Sequence, residues 1–298
     1  MIEVKNLEKS FGNIKAIDRV NATIEEGHVF GLIGTNGAGK STFMRMLSGV
    51  LKPDGGEILI DGETVYENPG SKQKLFFISD DQYFFKSGTP LDMVKLYKTF
   101  YPGFEEKKWT ELMEKFGLDK NRKVNTFSKG MKKQLSVICG VCAGTDYLFC
   151  DETFDGLDPV IRLMVKKLLA EEIAERGATV MISSHNLREL EDLCDQVGLL
   201  SAGRLLFEKD LDVLKLGFCR VQAAYDHPVD WAATGLAILD KKERGKLVSL
   251  LVRGTAEDTL AVLEARRPLF AEALPMTLEE VFIGEMEAAG YDYSNILS

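Results

Sequence analysis

The chain has 298 residues, 45% hydrophobic and 28% charged, the balance of a globular protein with room for about two domains. Asp and Glu number 46 against 37 Lys and Arg, and a net charge of -9 speaks against broad nucleic-acid binding, which needs surplus cations to displace counterions. Five Cys are too few and odd in number for a disulfide scaffold, the opening MIEVKNLEKS is not a secretory signal, and no apolar run approaches the roughly 18 residues of a spanning helix, so a reduced, cytoplasmic protein is expected.

The first 60 residues read as strands. Ile2 to Val4 is apolar on alternate positions, and His28 to Ile33 is a continuous apolar run ending in glycines, as in a strand buried on both faces. Phe43, Met46, Leu47, Val50 and Leu51 then recur at i, i+3, i+4, i+7 and i+8, one face of a helix that Lys52-Pro53-Asp54-Gly55-Gly56 stops. Residues 86–145 carry helical patterning and form a separate lobe. Tyr147 to Cys150, a helix over about 160–176 and Thr179 to Ser183 alternate as in the βαβ units of a parallel sheet. Val197 to Leu200 and Arg204 to Phe207 read as a hairpin across Ser201-Ala202-Gly203. Past a boundary near 212, Cys219 to Tyr225, Ala237 to Asp240 and Leu247 to Arg253 read as strands. Thr255 to Arg266 and Leu278 to Ala289 read as helices. Residues 212–298 are thus expected as a small α+β appendage to an α/β domain over 1–211.

Gly34-Thr35-Asn36-Gly37-Ala38-Gly39-Lys40-Ser41 matches G-x-x-x-x-G-K-[ST], between a buried strand and an amphipathic helix. Glycines let the backbone curl so that successive N–H groups face phosphate oxygens, and the helix start adds its positive dipole end. Lys40 supplies charge for the β- and γ-phosphates, Ser41 a hydroxyl for Mg²⁺, and Thr42 completes the nucleotide-contacting set. Asp151 and Glu152 end the short apolar strand at 147–150, in the crevice where open parallel sheets bind ligands. Asp151 suits a Mg²⁺ shell, since hard cations take oxygen ligands, and Glu152 is placed to polarise water. Alone, two acids after a strand read as a solvated loop. The phosphate loop upstream gives them their function.

These motifs, in this order, resemble the nucleotide-binding subunit of an ATP-binding cassette (ABC) transporter over about residues 1–210. Phe11 matches the aromatic that stacks on adenine, and Phe127-Ser128-Lys129-Gly130-Met131 matches the signature, usually Leu-Ser-Gly-Gly-Gln. Asp151 and Glu152 match the Walker B Asp and catalytic Glu, Gly156-Leu157-Asp158-Pro159 the D-loop, and Ser184-His185 the switch histidine. The resemblance implies a P-loop NTPase fold with a RecA-like core, a helical subdomain at about 86–145, and ATP with Mg²⁺ as ligands. It places Ser128, Gly130 and Asp158 at the nucleotide and the His185 hydrogen bond on the γ-phosphate. Plainer readings stand beside these: Phe11 as core, Ser128 as an ordinary helix N-cap, His185 as structural. Three departures are visible, one of them Met131 where the signature has Gln. Asp80 stands where the family places Gln, with Gln82 two residues late, and Asp80 can itself offer an oxygen to Mg²⁺. Lys129 replaces a Gly, either to add charge near a partner's ATP or to solvate a helix start.

By resemblance, ATP is sandwiched between one subunit's phosphate loop and another's signature loop, in a homodimer or a heterodimer with a second cassette. The Ser128 hydroxyl, the Gly130 N–H and the following helix start make an anion site consistent with that. Integral membrane permease subunits are expected as separate partners, which would hold the chain at the inner face of the cell membrane. Phe84 to Tyr101 carries aromatics that either form their docking groove or fill the lobe. The Phe-Ser-Lys-Gly-Met signature and single cassette most resemble exporters of the ABC-2 type. A soluble cassette ATPase on nucleic acid or the ribosome is disfavoured by the charge and by the short stretch between phosphate loop and signature. A degenerate ATP-binding regulator is disfavoured by intact Glu152 and His185. Cys139 and Cys142 form C-x-x-C without a second pair and read as small core residues, not zinc ligands.

Overall fold

The computed structural model describes residues 1–288 and divides the chain into two compact units, Met1–Glu208 and a second beginning at Lys209. The first unit opens with an antiparallel sheet. β1 (Ile2–Phe11) pairs with β2 (Ile14–Ile24) on one side and β4 (Gly55–Ile60) on the other, while β3 (Val29–Ile33) belongs to a second sheet. β1 is three times the expected strand, because pairing on both edges, with bulges, carries it to Phe11. α1 (Lys40–Leu47) ends sooner than its apolar face suggested. Gly49 takes a φ of +64° and closes the helix, leaving Val50 exposed.

β5 (Glu63–Thr64), α2 (Pro69–Gln73) and β6 (Leu75–Ile78) lead to the helical lobe of α3 (Pro90–Phe100), α4 (Glu106–Lys115) and α5 (Lys129–Cys142). α3 starts where it does because Thr89 and Asp92 form a capping box and Pro90 presets the first turn. The lobe closes over Trp109 and Val124, both at or near zero exposure. β7 (Tyr147–Asp151), α6 (Pro159–Arg176), β8 (Thr179–Ser184), α7 (Leu187–Leu190), β9 (Gln196–Ser201) and β10 (Arg204–Asp210) follow. The second sheet runs β10-β9-β3-β8-β7-β6, with β9, β3, β8, β7 and β6 parallel. β3, β7 and β8 are buried along their whole length, which is why they read as unbroken apolar runs. Phe43, Met44 and Leu47 of α1 pack into one core with Leu7, Ile17, Phe30 and Phe149, and each such side chain contributes about 2 kcal/mol by leaving water.

The second unit contains α8 (Leu211–Leu216), β11 (Phe218–Ala224), β12 (Ala237–Arg244), β13 (Leu247–Arg253), α9 (Ala256–Glu264), β14 (Phe270–Leu274) and α10 (Leu278–Ala288). Its antiparallel sheet has the order β12-β13-β11-β14, and Val221, Leu250 and Leu263 centre its core. The expected last helix reached Ala289, which lies outside the described residues.

Candidate functional site

The parallel sheet gathers three chain segments at one edge. β3, β8 and β7 are neighbours, with Ile33 opposite Ser184 and Asp151 opposite Ser183, so the loops after 33, 151 and 184 leave side by side. The first is Gly34–Ser41. Gly39 sits at φ +109°, and a Cβ there would stand 2.5 Å from the Ala16 carbonyl oxygen. A Cβ at Gly34 would stand 2.4 Å from that of Leu200, so the tight approach admits no side chain. Asn36 and Gly37 are exposed at the loop's crest, Thr35 is half-buried, and Ala38 is buried with its N–H on the Thr35 carbonyl at 3.1 Å. Ser41 and Thr42 are half-buried in the first turn of α1.

Lys40 is 5% exposed. Its ammonium donates to the Gly34 carbonyl at 2.6 Å and to that of Thr35 at 3.2 Å, and lies 3.1 Å from Glu152 Oε1. His185 Nδ1 is 2.9 Å from Glu152 Oε2. The Lys40 ammonium, from the start of α1, and the His185 ring, just past β8, thus converge on the Glu152 carboxylate just past β7. Asp151 is fully buried. Ser183 Oγ donates to its Oδ1 at 2.6 Å, and its Oδ2 has no hydrogen-bond partner. Burial pushes this carboxyl's pKa up, against the lowering effect of the two serine hydroxyls. A buried orphaned carboxylate oxygen beside a hydroxyl is the donor set of a hard divalent cation, so the residues fit Mg²⁺. Ser183, which sequence reasoning missed, also accepts the Glu152 N–H at 3.0 Å and so aligns both acids. Its only sequence signal is its place at the end of the strand before His185.

Phe11 is 49% exposed with the Lys9 ammonium 5.7 Å from its ring centre, so the reading as core is excluded. Ser128 does cap α5, accepting the Met131 N–H at 3.1 Å, and Gly130 lies so close to the Gly156 carbonyl that a Cβ would stand 3.4 Å from it. Asp158 caps α6 through the N–H groups of Val160 and Ile161. Lys129, exposed at the start of α5, lies 3.3 Å from Asp155 and 3.8 Å from Asp80. The Asp80 carboxylate is also 3.1 Å from the ammonium of Lys133, a residue sequence reasoning passed over. Gln82 turns elsewhere. It lines a cavity of about 340 Å³ between β6 and α3 with Phe76, Tyr83, Met93 and Tyr97, and its buried amide nitrogen has no partner. The lobe's aromatics divide between the two expectations. Tyr97 and Tyr101 pack on Phe76 with ring centres 5.2 and 5.3 Å away, whereas Phe85 and Phe100 are exposed. Cys139 and Cys142 are buried free thiols on α5, and burial pushes the Cys139 thiol up to about 12.

A family model described as "ABC transporter" matches residues 17–155. The chain belongs to the ATP-binding proteins of ABC transporters and is an ATPase. It is 33% identical over 285 residues to the ABC transporter ATP-binding protein YtrB of Bacillus subtilis (strain 168), covering 96% of this chain and 98% of that one. It is also 33% identical over 218 residues to the bacitracin transport ATP-binding protein BcrA of Bacillus licheniformis, covering 72% and 71%. Among solved structures, an ATP-binding subunit of an ABC transporter superposes with a TM-score of 0.66 at 27% identity, over 72% of this chain and 92% of that one. Among the described residues no helix is long and apolar enough to cross a membrane.

Proposed function

We propose that the chain hydrolyses ATP to drive a separate integral membrane permease, in the direction of export, from the inner face of the cell membrane. The observation that carries this is the convergence of Lys40 and His185 on the Glu152 carboxylate beside the phosphate-binding loop. In this reading Glu152 accepts the proton of the attacking water, while His185 and Lys40 stand to stabilise charge on the γ-phosphate. Phe11 stacks on adenine, and the backbone of residues 34–42 wraps the phosphates. Ser41 and Asp151 hold Mg²⁺, which supplies charge neutralisation for the phosphates when bound. The Asp80 carboxylate is committed to two lysines. Two copies close on two ATP molecules, each nucleotide meeting Ser128, Gly130 and the Asp158 loop of the other copy. Hydrolysis removes the γ-phosphate contacts and releases the clamp.

The cavity between β6 and α3, with its exposed Tyr83, is the surface we assign to the permease. ATPase work belongs to residues 1–211, and 212–298 form an accessory unit. Affinity purification of the full chain from detergent-extracted membranes tests the partnership. An integral membrane protein is expected in comparable amount, and nucleic acid or ribosomes in its place would overturn the proposal.

A further inference from the structure

Lys133 has no part in the chemistry just described, yet it is one of the most deeply buried polar residues of the chain. It lies in the second turn of α5 at 1% exposure, and its ammonium reaches two acceptors outside its own helix. One is Asp80 Oδ1, in the loop after β6; the other is the main-chain carbonyl of Glu152. A buried ammonium is costly, and a methionine would fill the same space without desolvating a charge. The charge is therefore explained by what it holds.

Glu152 is a residue that needs holding. Its φ is +46°, in the left-handed region that a side chain bearing a Cβ occupies only under constraint. Ser183 Oγ accepts its N–H at 3.0 Å, and Lys133 donates to its carbonyl oxygen. The peptide planes on both sides of its Cα are thus fixed by side chains from two other elements. The same ammonium ties this strained residue to Asp80, so a shift of the loop after β6 reaches Glu152 through one side chain.

We infer that Lys133 is a positioning residue for Glu152, coupling the loop at Asp80 to the orientation of the carboxylate that activates water. This role depends on Glu152 acting as proposed above. ATP turnover and equilibrium binding of a fluorescent ATP analogue are measured on the full chain for Lys133→Met, Lys133→Arg, Asp80→Asn and Glu152→Gln. Misplacing a reacting group by an ångström lowers the rate about 10²-fold. A loss of that order in kcat is expected for Lys133→Met with nucleotide Kd within about twofold, and Lys133→Arg recovers most of it. Added to Glu152→Gln, Lys133→Met changes nothing further, which a merely structural role would not give. Asp80→Asn alters an exposed side chain, leaves the core intact, and lowers kcat at unchanged Kd. Wild-type kcat in Lys133→Met would overturn the coupling, as would joint loss of turnover and nucleotide binding with Asp80→Asn silent. Wild-type turnover in Glu152→Gln is a different failure, since it removes the role of Glu152 itself and the coupling with it.

Discussion

At the scale of single residues, the site is built from charges held against their solvation. Asp151 is the plainest case. Its folded carboxyl has a raised pKa, so ionising it costs more in the folded chain than in the unfolded one. Asp151→Asn removes that handicap. Without nucleotide, its unfolding free energy should exceed that of the natural chain by about 1–2 kcal/mol, while ATP turnover is lost. The gap should narrow as pH falls, because protonation neutralises Asp151 in the same way. Thermal unfolding of both chains as pH is lowered from neutrality toward the ordinary Asp value checks this. Asp61 runs the other way. Burial raises its pKa, but hydrogen bonds from Tyr147, the amino terminus and Lys74 outweigh that and hold it at about 2. Its contribution is complete above the ordinary Asp value and lost as pH falls toward 2. The group is a third exposed, so Asp61→Asn should cost about 1 kcal/mol at neutral pH, a cost that fades as pH falls through about 2, read by denaturant unfolding. Phe11 is exposed, so Phe11→Ala should leave stability within about 0.5 kcal/mol. It should weaken ATP binding about tenfold by removing a stacking face, as titration of ATP into the chain would show. Lys40, Ser41, Asp151, Glu152 and His185 were legible in the sequence because each lies in a short motif. Ser183 and Lys133 were not. Lys132-Lys133 at a helix start reads as solvated, and only the convergence of Asp80 and the Glu152 carbonyl from separate loops buries the second lysine. The available hint was a lysine just ahead of the apolar and small-residue run Leu135 to Ala143.

At the scale of elements, α5 joins capping to recognition in one residue. Ser128 accepts the Met131 N–H and so starts the helix, and the same hydroxyl is proposed to meet a partner's ATP. Ser128→Asp separates the two roles. Aspartate caps as well as serine, so stability should hold within about 0.5 kcal/mol. Its charge repels phosphate, so turnover should fall at least about tenfold. An unfolding midpoint and a steady-state ATPase assay decide it, and unchanged turnover would leave Ser128 as a cap alone. The elements themselves were legible where a period was long and clean: the buried strands β3, β7 and β8, and helices α1, α5 and α6. Misreadings have local causes. β1 was cut short because Lys5 and Asn6 break its alternation, and bulges, invisible in sequence, carry it on. β14 escaped notice because it is largely exposed and, among the described residues, pairs only with β11. α8 escaped notice because six residues show too little of a helical period.

At the scale of the whole molecule, the central claim is that ATP joins two copies and that Glu152 ends the joined state. ATP bound between two surfaces favours the closed pair by its differential affinity, and that pair lasts only until hydrolysis. Glu152→Gln keeps the size and hydrogen bonding of the side chain and removes the base. The most direct measurement is the mass of the Glu152→Gln chain in solution, with and without ATP and Mg²⁺. A monomer that becomes a dimer only with ATP and Mg²⁺ is the result this account predicts. A monomer that binds ATP and stays a monomer would contradict it.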